Sequence, residues 1–394
     1  MKILLIHNEY ARYSGEEAAF YSLCDALRRK GQTVRTFVRS SADIPHSWAH
    51  RSQAFFTGIW SRAVAAELAK ELDDFQPDVV HIQNLYPLIS PSIIPVVARS
   101  SAALVMGCHN YRLFCPTGLM LRNSRPCSQC ATAGEYRCIA HNCMGSVGRS
   151  LGYALRNRVA RPLLLKHVDQ FNVLSSFQAT RFTEWGVPKE RLAVVPNFVS
   201  LPESGNRSVP AGSGTYVGFL GRVSPEKGIG VLLNAARMCP DIPFRIAGHM
   251  IAMPAADQGV PGNVRFIGEL TPSEVPGFLA GARFSVAPSI WYEAFGLVAV
   301  EAMLAARPVI ASEIGAFADI VEHNRTGVLV RPGDAAQLAA EIKRLWAAPQ
   351  LCTDLGEAAK EQATVRYAEP TVYGQVLTSY EAACKRKGLQ PPSR

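Results

Sequence analysis

The sequence predicts an α/β protein of two domains, each a parallel sheet with helices on both faces. Three observations predict it. Short β-type runs alternate with helical patterns through most of the chain, the alternation begins afresh near the middle, and the two series are parted by a stretch with little to bury. At 394 residues the chain is long enough to build two cores, and its composition, 48% hydrophobic and 19% charged, is ordinarily globular. No apolar run reaches the ~18 residues that would suggest a membrane-spanning helix.

The first series opens on KILLIH (2–7). Its apolar part is only Ile3 to Ile6 and polar residues follow at once, which reads as a core strand and not as a signal peptide, so a cytoplasmic protein is expected. A helical pattern runs from Glu16 to Lys30 and ends at Gly31, as a C-cap would. TVRTFV (33–38), DVVHIQ (78–83), ALVMGCH (103–109), QFNVLSS (170–176) and LAVVPN (192–197) follow as strands. The linker is expected in PNFVSLPESGNRSVPAGSG (196–214), rich in Pro, Gly, Ser and Asn. The second series reads TYVGFLG (215–221), FRIAGH (244–249), VRFIGE (264–269), FSVAPS (284–289), PVIAS (308–312) and GVLV (327–330). From about Gln337 the chain reads as helical, with a break near Pro370. Strands buried on both faces and separated by helices imply parallel sheets, hence two Rossmann-like domains that bind ligands at the carboxyl ends of their strands. The expected boundaries are 1–197 with a cysteine-rich insertion at 115–143, then 198–365, then a helical tail at 366–394 that packs back on the first domain.

The net charge of +9 is unevenly placed: residues 1–195 hold 23 Lys and Arg against 14 Asp and Glu, while residues 196–394 hold 18 of each. The excess in the N-terminal half favours an anionic partner there, a phosphate-bearing acceptor, a lipid surface or nucleic acid.

Chemistry concentrates in two stretches of the second domain. In SIWYEAFGLVAVEAM (289–303), Glu293 lies in a loop after a strand and Glu301 inside the apolar helix that follows. Gly296 lets the backbone turn sharply and approach a ligand, and the amides of Gly296 and Leu297 would face an anion with the helix dipole behind them. Two carboxylates beside an anion-binding backbone suit a ligand with both phosphates and sugar hydroxyls. The other reading is a capping acid and a buried, paired glutamate. In GFLGRVSPEKG (218–228) a strand-to-helix turn carries Arg222 and Lys227, a natural diphosphate clamp or else a solvated turn. It is not the dinucleotide fingerprint, since no G-x-G-x-x-G follows that strand.

GRVSPEKG followed by SIWYEAFGLVAVEAM resembles the family-four retaining glycosyltransferases, glycosyl transferases group 1, which have the two-Rossmann GT-B fold. HNEYARYSGEEAAFYSLCDALRRKGQTV is similar to that family's opening strand, glycine loop and first helix, VVPNFVS to its interdomain entry and TGVLVRPGD to its closing loop. The resemblance implies that Glu293 binds hydroxyls of the donor sugar and Glu301 the ribose hydroxyls of the nucleotide. Arg222 and Lys227 would neutralise the diphosphate, helped by backbone amides near Phe295, Gly296 and Leu297, with no catalytic metal. Gly15 would open the first helix close to the phosphates or the acceptor; the family has two adjacent glycines here, where this chain has Ser14-Gly15. His109 would stand beside the donor sugar, its alternative being a core-edge histidine paired with a carbonyl. Retention by a front-face path needs no protein nucleophile, so Glu293 and Glu301 are not a glycosidase pair. The implied activity is hexosyl transfer from a UDP- or GDP-sugar to a glycan or lipid-linked acceptor, in polysaccharide or lipopolysaccharide-type assembly.

Five of the ten cysteines fall within 115–143. Cys127-x2-Cys130 and Cys138-x4-Cys143 have the spacing of a structural zinc site, with Cys115 as an alternative ligand; a redox-sensitive or unligated cluster and disulfides are the other readings. Some members of the family carry a similar insertion, and its position suggests a lid over the acceptor side. In 148–167, Arg149, Arg156, Arg158, Arg161 and Lys166 interleave with Leu, Tyr and Val. That pattern suits either a peripheral contact with the anionic inner face of a membrane or a crossover helix with a solvated basic face. Two rival functions are a sugar-nucleotide epimerase of the same fold, for which no carboxylate-rich cluster is visible, and a zinc-containing nucleic-acid binder. The second leaves Arg222, Lys227, Glu293 and Glu301 unexplained, so nucleic acid is not expected as a partner.

Overall fold

The computed structural model describes residues 1–10, 15–43, 55, 57–199, 209–251 and 259–390. The strands are β1 (Lys2–Glu9), β2 (Thr33–Ser40), β3 (Val79–Ile82), β4 (Ala103–Cys108), β5 (Leu121–Arg122), β6 (Arg125–Pro126), β7 (Gln170–Val173), β8 (Leu192–Val194), β9 (Tyr216–Leu220), β10 (Phe244–Ala247), β11 (Val264–Gly268), β12 (Ala282–Ala287), β13 (Val309–Ser312) and β14 (Gly327–Val330). Every strand expected from the sequence is among them; β5 and β6 add a small antiparallel hairpin inside the cysteine-rich stretch. Of the expected linker, residues 200–208 lie outside the described residues, as do 11–14 of the glycine loop.

The two large sheets are parallel throughout, in the orders β2-β1-β3-β4-β7-β8 and β11-β10-β9-β12-β13-β14. The second is the doubly wound order, so its connections reverse direction between β9 and β12; in the first they reverse between β1 and β3. Ligands of such sheets bind outside the carboxyl ends of the strands at this reversal.

The chain divides into two compact units. One holds Met1–Met120, Ser128–Phe198 and Glu369–Arg394; the other holds Leu121–Cys127 and Val199–Ala368. The first has a core of Ile3, Leu5, Phe20, Leu23, Val79 and Val105 that also takes Val376, Tyr380, Ala383 and Cys384 from the last helix, Glu369–Lys387. The second unit is cored by Val217, Phe219, Ile229, Leu232, Phe244, Phe284, Leu338 and Ile342 among others. The break expected near Pro370 falls between Arg366 and Glu369, and Pro370 sits in the first turn of the last helix. An amide there has no partner within the helix, so its loss costs little. The first helix, Gly15–Arg29, stops before Gly31, whose φ is +82°, as a C-cap residue requires. Among the described residues, no helix is long and apolar enough to cross a membrane.

Candidate functional site

In the second unit the loops after β9 and β12 flank the reversal point, and they carry the residues singled out by sequence. Lys227 Nζ donates to Glu293 Oε2 at 2.7 Å, and both side chains are largely buried. Trp291 Nε1 donates to the same oxygen at 3.1 Å and Ser289 Oγ at 3.4 Å, while Lys227 Nζ lies 5.2 Å from the centre of the Trp291 ring. Glu293 is thus held by three donors on one oxygen. Arg222 stays half-exposed and reaches Glu226 at 3.1 Å; Glu226 is buried, and its carbonyl accepts from the Ile290 amide at 3.0 Å, tying the two loops together.

Glycines make these turns. Gly228 has φ +75°, and a β-carbon there would lie 1.8 Å from the Pro288 carbonyl oxygen. Gly296, at φ +84°, heads the helix Leu297–Leu304, and a β-carbon there would lie 2.6 Å from the Phe317 ring. The first amides of that helix stand outside its hydrogen-bond ladder. The Phe295 side chain points inward and meets Tyr367 edge-on at 5.7 Å, so only its backbone is offered to a ligand. The Glu301 carboxyl, one turn after Leu297, has no hydrogen-bond or ion-pair partner among the described residues, and burial pushes it from 4.5 up to about 7. An unpartnered carboxyl in a poorly hydrated place is an acceptor waiting for donors. The reading of Glu301 as a buried, paired acid therefore does not hold.

In the first unit, polar side chains gather where β1, β3 and β4 end. Asn110 Nδ2 donates to Glu16 Oε1 at 2.9 Å, the Tyr10 hydroxyl to Glu16 Oε2 at 3.0 Å, and Arg112 to the Tyr10 oxygen at 2.7 Å. The Tyr10 amide donates to Glu17 Oε1 at 2.7 Å. Gly15 therefore opens a helix whose first turn already holds two carboxylates. His109 contacts the side chain of Gln83 through Nε2, and not a backbone carbonyl; burial lowers its imidazole below the ordinary range, Glu16 opposes that shift and His7 adds to it. A small cavity beside His109 is lined by Asn84, Tyr86, Asn110, Arg112 and Arg161 among others. The sequence reading missed Gln83, Glu16, Tyr10 and Arg112. The signal that finds them is position: Tyr10, Gln83 and Arg112 follow the ends of β1, β3 and β4, and Glu16 lies in the first turn of the helix after β1.

Two expectations find no support in this geometry. Among the described residues, no group of three or more His, Cys, Asp or Glu is placed to hold a metal. Cys127 closes the segment that groups with the second unit, and the others group with the first. Cys138 is buried near Cys143 and Cys115; burial and these neighbours push its thiol up to about 12, and no two cysteines are joined in a disulfide among the described residues. His141 Nε2 is taken by Gln129 Oε1 at 2.8 Å. The helix Val147–His167, second, does not carry its basic residues on one face. Arg156 is buried between the rings of Tyr86 and Tyr153, at 3.7 and 4.3 Å, and Arg161 turns to Glu135 and the carbonyls of Cys130 and Ala131. Arg149, Arg158 and Lys166 are the exposed ones.

Comparison with known proteins bears on this geometry. Residues 13–202 match the family model described as Glycosyltransferase Family 4 and residues 204–362 the one described as Glycosyl transferases group 1. A phosphatidyl-myo-inositol mannosyltransferase of Mycobacterium leprae is 32% identical over 203 residues, covering 50% of this chain and 52% of its own. A glycogen synthase of Mycobacterium tuberculosis is 34% identical over 185 residues, 45% of this chain and 44% of its own. A D-inositol 3-phosphate glycosyltransferase of Segniliparus rotundus is 28% identical over 258 residues, 60% of this chain and 57% of its own. The chain thus spans about half the length of the curated relatives it matches. Among solved structures, Anabaena HepE in complex with UDP-glucose superposes with a TM-score of 0.67 at 20% identity over 97% of this chain and 100% of its own. Sucrose-phosphate synthase from Thermosynechococcus elongatus superposes at 0.69 and 20% identity over 96% and 98%. At such identities the likeness is one of fold.

Proposed function

The chain belongs to the family-four, group 1 glycosyltransferases and has their GT-B fold, and from that premise we propose that it moves a sugar, with retention, from a UDP- or GDP-sugar to a glycan or glycolipid acceptor. The observation that carries this reading is the Lys227–Glu293 pair, 2.7 Å apart at the reversal point of the second sheet, beside a helix headed by Gly296. Glu293, fixed by Lys227, Trp291 and Ser289, keeps its other oxygen for hydroxyls of the donor sugar. Glu301 accepts from the ribose hydroxyls. Lys227 and Arg222, with the amides of Phe295, Gly296 and Leu297, take the charge that develops on the diphosphate as it leaves, so no divalent metal is required. Glu293 is already engaged as an acceptor and is assigned no bond to the sugar; the leaving phosphate takes the acceptor's proton on the same face. In the first unit His109 stands by the transferred sugar, and the carboxylates after Gly15 favour acceptor hydroxyls there over phosphates. The names of the relatives speak of phosphatidyl-myo-inositol, glycogen and inositol phosphate, and only the transfer of a sugar is carried over from them.

The test is a thermal-shift screen of UDP-, GDP- and ADP-sugars. A ligand at a hundred times its dissociation constant stabilises by ~2.7 kcal/mol. Lys227→Ala should then lower turnover about a hundredfold, the loss of ~3 kcal/mol of leaving-group stabilisation, and Glu301→Ala should weaken nucleotide binding. Normal turnover in both variants would refute the site.

The proposal extends to a peripheral contact with an anionic bilayer through 148–167. Leu151 and Leu155 remain exposed there, 54% and 48%, and Arg149 and Arg158 flank them.

A further inference from the structure

Behind His109 a line of side chains runs through the interior of the first unit to the last helix of the chain. His109 Nε2 contacts Gln83 Oε1; Gln83 Nε2 lies 3.0 Å from His81 Nε2; His81 Nδ1 lies 2.8 Å from the Tyr380 hydroxyl. His81 and Tyr380 are buried, and burial holds His81 down at about 3 and His109 below its ordinary value, so both rings are neutral at pH 7. The β4 strand makes room for the line with Gly107, where a β-carbon would lie 2.7 Å from Gln83 Oε1 and 3.2 Å from His81 Nε2.

Each junction holds one proton, so the line has two proton orders that run in opposite directions. In one, His109 Nε2–H donates to the Gln83 carbonyl, the Gln83 amide donates to His81 Nε2, and His81 Nδ1–H donates to the Tyr380 oxygen. The Tyr380 hydroxyl proton is then left without an acceptor in a fully buried place, because His81 is its only hydrogen-bond partner among the described residues. An unsatisfied buried donor is costly. In the other order Tyr380 O–H donates to His81 Nδ1, His81 Nε2–H donates to the Gln83 carbonyl, and the Gln83 amide donates to His109 Nε2. This order turns the carboxamide of Gln83 end for end, an exchange of two groups of nearly the same shape. The Tyr380 hydroxyl proton then has its acceptor, and His109 keeps its proton on Nδ1, the nitrogen that no described residue engages.

We propose that Tyr380, His81 and Gln83 are positioning residues that hold His109 as the Nδ1–H tautomer, making its open nitrogen a hydrogen-bond donor and not a base. The functional meaning rests on the reading of His109 as a neighbour of the transferred sugar. There a donor N–H binds a sugar oxygen, and it has no lone pair with which to take the acceptor's proton, which must go elsewhere. The tautomer itself is independent of that reading.

Long-range proton–nitrogen correlation spectra of the full-length, nitrogen-15-labelled protein near pH 7.5 distinguish the two tautomers, with His109→Gln supplying the assignment. The wild type should show His109 in the Nδ1–H pattern. Tyr380→Phe removes the proton that sets the direction, so both patterns should appear. Gln83→Glu puts a group that only accepts beside Nε2, so the Nε2–H pattern should replace the other. An Nε2–H pattern in the wild type sinks the proposal whatever the variants do, and so does an unchanged His109 pattern in folded Tyr380→Phe. Full transfer activity in His109→Gln, with the predicted tautomer present in the wild type, would instead overturn the placement of His109 at the sugar and leave the tautomer proposal standing.

Discussion

At the scale of single residues the carboxyl of Glu301 makes the sharpest forecast. Its value is raised by burial from 4.5 to about 7, so the folded state holds a proton that the unfolded chain has lost. Stability from this group is therefore intact below pH 4.5 and declines as the pH rises toward 7. The full loss is about 3 kcal/mol, at ~1.36 kcal/mol for each tenfold change in proton affinity between the folded and unfolded chain. Glu301→Gln should accordingly be more stable than wild type at pH 8 and no more stable at pH 4, by denaturant titration. Hydroxyl donors favour the ionised form, so nucleotide binding at pH 6.5 should release a fraction of a proton in calorimetry across buffers of different ionisation enthalpy, and none in the glutamine variant. Gly228 gives a second forecast. A β-carbon there meets the Pro288 carbonyl in a left-handed backbone, so Gly228→Ala should cost at least about 2 kcal/mol and detach Lys227 from Glu293. Residues of this kind were legible because they stand close together in sequence after two strands. Gln83, His81 and Tyr380 were not, since the His81–Tyr380 contact spans 299 positions and no local pattern announces it.

At the scale of elements the sequence was most readable where burial is two-sided. The continuous apolar run Ile3–Ile6 fits a parallel strand buried on both faces, and it lies inside β1, an inner strand of the first sheet. The cysteine-rich stretch was least readable. Spacing limits how far apart ligands are along the chain, but not which way the short helices Gln129–Ala133 and Tyr136–Ala140 turn them. The helix Val147–His167 lies between these cases: its charge count was legible and its faces were not, because Arg156 packs between Tyr153, which the pattern counted as an interleaved apolar position, and Tyr86, far outside it in sequence. What stays exposed yields a forecast. If Leu151 and Leu155 touch a bilayer, the protein should sediment with vesicles rich in anionic lipid, less so as salt is raised, and Leu151→Asp with Leu155→Asp should abolish it. Equal sedimentation of the double variant would remove the contact.

At the scale of the whole molecule, each unit has its own core and its own share of the functional residues. In the proposed site, side chains and a helix N-terminus are to supply the positive charge at the diphosphate, so transfer should survive EDTA at short times in an initial-rate assay; a strict requirement for added magnesium or manganese would count against that account. Apart from the short segment Leu121–Cys127, the second unit is one unbroken stretch, Val199–Ala368. Produced alone, that stretch should still bind the nucleotide by calorimetry while transferring nothing.

The first unit has no such independence, and this sets an order on its biogenesis. Its core is closed by Val376, Tyr380, Ala383 and Cys384, which leave the ribosome after the entire second unit. Translation proceeds at roughly 5–20 residues per second and domains tend to fold as they emerge, so the half that is made first is finished last. Until then a nascent chain displays the unfilled groove over Leu5, Val79 and Val105, and a premature stop anywhere before codon 369 leaves it open for good.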